Sequence, residues 1–235
     1  MNVKQVLDEL KGLGSEQIRK IFLKHGVEEP LYGVKIEELK KFQKKIKKDH
    51  GLSLGLFDSG IADAQYLAGL IADENKITPD DLRHWAANAR GAMVREYTVP
   101  WVASESPHGW ELALEWIASK DEDLQVAGWS TLSNVISLRP DTELDLKKIK
   151  SLLQVVKRDI HKALNRVRYV MNGFVISAGT YISSLTDECQ AIGKAIGKVS
   201  VEMNGTACKV PYSPEYIQKS IDRGSIGKKK KMARC

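Results

Sequence analysis

LQVAGWSTLSNVISLRP, residues 124–140, decides the fold class. Leu124, Val126, Ala127, Trp129, Leu132, Val135 and Ile136 recur at helical spacing until Arg139 and Pro140 stop the run. Apolar residues cover most of the circumference of this helix, so it is buried on more than one side. Such a helix belongs in the middle of a layered, helical protein. Reading outward, Ser106 and Pro107 open a helix carrying Trp110, Leu112, Leu114, Trp116 and Ile117, and residues 93–103 form another before it. Thr78-Pro79-Asp80-Asp81 starts an earlier one, with Thr78 as N-cap, proline at the first helical position and acids beside the positive end of the dipole.

Further out, residues 2–11 and 15–25 read as short amphipathic helices separated by Gly12 and Gly14, with Ser15 as the second N-cap. A lysine-rich helix follows from Ile36 to Lys48 and is expected to end at Gly51, and residues 61–72 form the next. Downstream lie helices at 147–156 and 163–185. Val199, Val201 and Met203 alternate before Asn204-Gly205, which suits either a small hairpin or an extended segment. Ser213-Pro214-Glu215 caps a last short helix. About ten helices in antiparallel pairs, in units of about 40 residues, predict an all-α, HEAT-like α-α superhelix, an α-solenoid with a short extended and basic C-terminal tail. Residues 1–198 are expected to form the helical-repeat domain and 199–235 the extended segment, short helix and tail. Such arrays offer a long concave face to a partner.

The composition agrees: 43% hydrophobic, 28% charged and only seven prolines in 235 residues suit a helical globular protein with charged outer faces. No apolar run approaches the roughly 20 residues of a membrane-spanning helix, and the N-terminus lacks a signal-peptide core. A cytoplasmic address, no membrane partner and a monomeric state are expected. Cys189, Cys208 and Cys235 are odd in number and widely spaced, which argues against a disulfide framework and against a metal site. No cofactor is implied. The net charge of +6 is local: from Arg223 on, the last 13 residues hold six Lys and Arg and no acid, leaving the rest formally neutral.

Several stretches are more specific than this pattern. YGVKIEEL at 32–39 with the basic helix after it, LGLF at 54–57, ADAQ at 62–65 and AGLIA at 68–72 resemble the opening of the DNA alkylation repair family of HEAT-like proteins. RVRYVMNGFVISAG at 166–179 and GTACKVP at 205–211 resemble one branch of it. The resemblance implies a C-shaped array holding duplex DNA in a basic concave face. It also implies, in catalytic members, excision of cationic alkylated purines with help from an acidic residue, aromatics and an arginine. Trp85 matches an aromatic of that site, but the acid expected four residues later meets Ala89, with Asn88 beside it. The arginine falls at Val126 and the second aromatic near Gly173. Asp121, Glu122 or Asp123 is the remaining source of a carboxylate, and no catalytic residue is assigned.

The expected DNA-contacting set is Trp85, Arg166, Arg168, Asn172, Lys209, Lys228, Lys229, Lys230 and Lys231. Arg168 and Asn172 stand one turn apart on an otherwise apolar helix, so they either pair internally or meet phosphate. The run of lysines at 228–231 suits counterion release from a phosphate backbone, the alternative being a solvated arm. On either reading, deleting residues 224–235 is expected to leave thermal stability nearly unchanged. The lysines at 40, 41, 44, 45, 47 and 48 read as an exposed face, and the other tryptophans as core. Three functions remain: DNA binding without catalysis, excision of N3- or N7-alkylated purines, and a protein-interaction scaffold.

Overall fold

The structure, a computed structural model, describes residues 1–234; Cys235 lies outside the described residues. Two compact units emerge, one of residues 1–112 with 204–206 and Arg234, the other of residues 113–203 with 207–233. Among the described residues no strand forms, and no helix is long and apolar enough to cross a membrane.

The first unit begins with α1 (Val3–Leu13), α2 (Glu16–Lys24), α3 (Ile36–Ile46), α4 (His50–Asp58) and α5 (Ala62–Ile71). α5 is its centre: every residue is buried, and α1, α3 and α4 pack on it. Gly51 does not end the lysine-rich helix. α3 stops at Ile46, and Gly51 sits in the first turn of α4 because the Asp49 carboxylate accepts the Leu52 N–H (3.0 Å) and caps a new helix there. α6 (Pro79–Asn88) starts as its sequence dictates, with Thr78 and Asp81 closing a reciprocal capping box. α7 (Gly91–Met93) then widens into a π-turn at Val94–Thr98 before α8 (Val99–Glu105). Pro100 has no N–H to give the preceding turn, so the ladder slackens ahead of it.

After α9 (Gly109–Ile117), the second unit is built from α10 (Glu122–Leu138), α11 (Leu146–Asp159), α12 (Asn165–Tyr181), α13 (Thr186–Ile196) and α14 (Ser213–Asp222). α10, the helix of residues 124–138, pairs with α12, Trp129 meeting Phe174 edge-on at 5.1 Å. On its other side, Gly128 is what admits Ala113 and Ile117: a Cβ there would lie 2.9 Å from the Ala113 carbonyl oxygen. α12 is likewise enclosed, packing on α13 and α14 as well.

The C-terminal segment is not a solvated arm. In the second unit the Gly227 N–H donates to Thr180 O (2.8 Å) and the Lys230 N–H to Ser137 O (2.8 Å). The Lys229 ammonium donates to Ile136 O (2.9 Å) and pairs with Asp141 (2.8 Å), capping the negative end of α10. In the first unit the guanidinium of Arg234, whose side chain is only 8% exposed, sits between Glu74 (2.9 Å) and Glu105 (3.0 Å). It also donates to Ala72 O (3.2 Å), just past α5. Charge patterning registered the cations but not their partners, which lie far away in sequence.

Candidate nucleic-acid interface

The stretches that carry the resemblance turn out to be mutual anchors. Asp63, 1% exposed on the apolar α5, accepts the backbone N–H groups of Tyr32 (2.6 Å), Gly33 (3.3 Å) and Val34 (2.8 Å). A carboxylate can be buried at this depth because three donors converge on it. Gly33 is required there: its φ is +76°, and a Cβ would stand 2.5 Å from Ser15 O. Burial, and then the Asp63 charge, raise the pKa of the neighbouring Tyr32 hydroxyl. Gln65, equally buried, donates to Asn88 O (2.9 Å) and accepts the Arg90 N–H (2.8 Å). It thereby fixes the chain on both sides of Ala89.

At the positions where the family resemblance expects chemistry, the side chains are packed. Trp85 is a correction: it is 1% exposed and stacks face to face on Phe57 with ring centroids 4.3 Å apart. An indole wedged between helices supports α6 and has no face left for a ligand. Ala89 and Val126 are 6% and 1% exposed. The Asp121 carboxylate caps α10, accepting the Asp123 and Leu124 N–H groups, and Glu122 accepts the Arg166 N–H (2.7 Å). His84 and Asp58 form an exposed pair at 2.9 Å. Beside Gly173, inside α12, a Cβ would meet nothing within 4 Å. Gly173→Ala is therefore expected to stabilise the protein by about 0.5–1 kcal/mol through the unfolded chain's lost freedom, as read by urea denaturation.

The polar stripe on α12 serves the chain itself. Asn165 exchanges two hydrogen bonds with Glu202, its amide donating to the carbonyl (3.0 Å) and its oxygen accepting the N–H (2.8 Å). Arg168 donates to Ala163 O (2.8 Å) and Ser200 O (3.4 Å). The Arg166 guanidinium lies 4.5 Å over the Tyr169 ring and reaches Met203 Sδ at 3.2 Å. Asn172, 1% exposed, donates to Pro211 O (2.8 Å), which corrects its reading as a DNA contact. Side chains of α12 thus take up the backbone groups of Glu202 and the Ser200 carbonyl in the alternating segment, and no hairpin forms. Two cysteines differ: burial pushes the Cys189 thiol up to about 12, with Glu188 adding to it, whereas Cys208 is exposed.

Of the expected lysines, Lys229 is consumed by Asp141 and the end of α10. Lys209, Lys228 and Lys231 are exposed, with no carboxylate partner among the described residues. The Lys230 ammonium lies 5.6 Å over the Tyr181 ring. Near the N-terminus, Lys41 and Lys48 pair with Glu38 and Glu74, while Lys44, Lys45 and Lys47 stay exposed. Sequence reading missed Asp63, Gln65 and Arg234. The first two announced themselves only as polar residues on an otherwise apolar helix.

Paired helices packed around two central ones, with buried polar anchors between them, define an all-α protein of the HEAT-like class. The model of the DNA alkylation repair enzymes matches residues 6–179, and the chain belongs to that family. Uncharacterized proteins of Listeria monocytogenes and Listeria innocua are 34% and 33% identical over 224 residues, 93% of this chain and 97% of each relative. One solved structure is 35% identical and superposes with a TM-score of 0.91 over the whole of both chains. It is described as a new family of proteins related to the HEAT-like repeat DNA glycosylases with affinity for branched DNA structures.

Proposed function

We propose that this chain binds DNA, duplex arms and branch points alike, through the phosphate backbone, and does so as a cytoplasmic monomer without excising bases. One observation carries the reading: the full-length likeness, at 35% identity and a TM-score of 0.91, to a structure described as having affinity for branched DNA. Phosphate contact needs cations that no carboxylate neutralises, and exposed Lys209, Lys228 and Lys231 meet that need. Arg168 likewise meets carbonyls and no carboxylate among the described residues. Excision needs a carboxylate to stabilise the sugar cation, and at residue 89 there is a buried methyl group.

Binding of a four-way junction and a duplex of equal length, measured by fluorescence anisotropy over a salt series, tests the reading. Junction DNA is expected to bind more tightly, with log K falling linearly in log salt. Replacing Lys209, Lys228 and Lys231 by alanine should lower that slope by about one per lysine. A flat salt response would sink the proposal. Time-dependent release of base from methylated duplex would overturn its non-catalytic part.

A further inference from the structure

A cavity of about 400 Å³ opens in the second unit between α12, α14 and the returning C-terminal segment. Neither Trp85, Ala89 nor Val126 lines it. Its charges are of one sign. Lys219 in the last turn of α14 and Arg223 just past its end face it together with Lys230, and no Asp or Glu is among its lining residues. None of the three cations has a carboxylate partner among the described residues.

The rest of the wall is made for a polar ligand with a flat part. Thr180 and Ser220, with hydroxyls 3.4 Å apart, stand beside the cations, and Ile176, Ser177 and the rings of Tyr181 and Tyr216 complete the lining. Each ring carries an ammonium: Lys219 lies 4.5 Å over Tyr216 and Lys230 lies 5.6 Å over Tyr181. These contacts hold the lysines at the cavity instead of letting them sweep through solvent. The chain bearing Lys230 is itself pinned, by the Gly227 and Lys230 N–H groups. A cleft lined by a single sign of charge focuses its field on an anion. The volume falls in the range of small-ligand clefts, about 300–1,000 Å³, and leaves space beside a phosphate for a sugar or base against the tyrosines.

We propose that this cavity seats one nucleotide of a DNA strand, its phosphate on Lys219, Arg223 and Lys230 and its nucleoside against Tyr181 and Tyr216. The assignment of the strand as the source rests on the DNA-binding reading above; the phosphate chemistry does not. Full-length protein is compared with two triple variants: Lys219→Ala/Arg223→Ala/Lys230→Ala, and a control of equal charge loss on α11, Lys147→Ala/Lys150→Ala/Lys157→Ala. Deoxyadenosine 5′-monophosphate is titrated by calorimetry and four-way junction DNA by anisotropy. The expected result is saturable nucleotide binding by wild type and control but not by the cavity variant, together with about tenfold greater loss of junction affinity in the cavity variant than in the control.

Wild-type protein that binds the nucleotide through these residues but no DNA would keep the phosphate site and remove the DNA reading. Nucleotide binding with junction losses equal in the two variants would assign the cavity to free nucleotides and overturn its place on a strand. No nucleotide binding, with equal junction losses, overturns the proposal altogether.

Discussion

Deleting residues 224–235 is expected to lower the melting midpoint by about 10 °C, reflecting on the order of 4 kcal/mol. The largest part comes from Arg234. Its guanidinium sits between Glu74 and Glu105 with its side chain only 8% exposed, and removing one member of a buried ion group leaves the others poorly solvated. Losing Lys229 from the end of α10 adds about 0.3–1 kcal/mol. A midpoint unchanged within error by circular dichroism would show that the segment packs without stabilising. Arg234→Met, which keeps the bulk and removes the charge, should reproduce most of the loss.

The pH dependence has a definite sign. Burial pushes the Glu74 carboxyl up, but the Lys48 hydrogen bond, a backbone N–H and Arg234 outweigh it and hold it below its ordinary value of 4.5. A carboxylate whose folded pKa is depressed contributes stability above its unfolded value and loses it as pH falls through the folded one. The gap between full-length and truncated protein should therefore be widest above pH 4.5 and narrow below it.

Asp63→Ala should rank among the most damaging single substitutions in the first unit. It leaves the N–H groups of Tyr32, Gly33 and Val34 without their acceptor. At about 1–3 kcal/mol for each unsatisfied buried group, the loss is on the order of 4 kcal/mol even after local relaxation. Against a total stability of about 5–15 kcal/mol, that threatens folding itself. Asp63→Asn retains one acceptor oxygen and should fall between. Urea denaturation of the three proteins gives the ranking, and an alanine variant within about 1 kcal/mol of wild type would mean that the 32–34 loop is held by something else.

What the sequence disclosed follows from the range of the forces involved. Local signals were legible: the largely apolar surface of residues 124–138, the Thr78 N-cap and the proline in the first turn of α14 each depend on neighbours within a turn or two. Interactions across the chain were not. Trp85 reads as an exposed platform only if Phe57 is unknown, and Asn172 reads as a groove residue only if Pro211 is unknown. The basic run after Arg223 is the sharpest instance. Composition shows its charge but cannot show that two of its members pair with Asp141, Glu74 and Glu105. The candidate nucleotide cavity was invisible for the same reason, since three separate stretches build it.

Arg234 docks 160 residues after Glu74. In the growing chain, every helix of the first unit is therefore made before Arg234 can join Glu74, already paired with Lys48, to Glu105. Until then the first unit lacks the guanidinium that ties these two carboxylates together, and it is a looser species exposed to proteases and chaperones. That ion group works as a latch, one that closes only after residue 234 has been added.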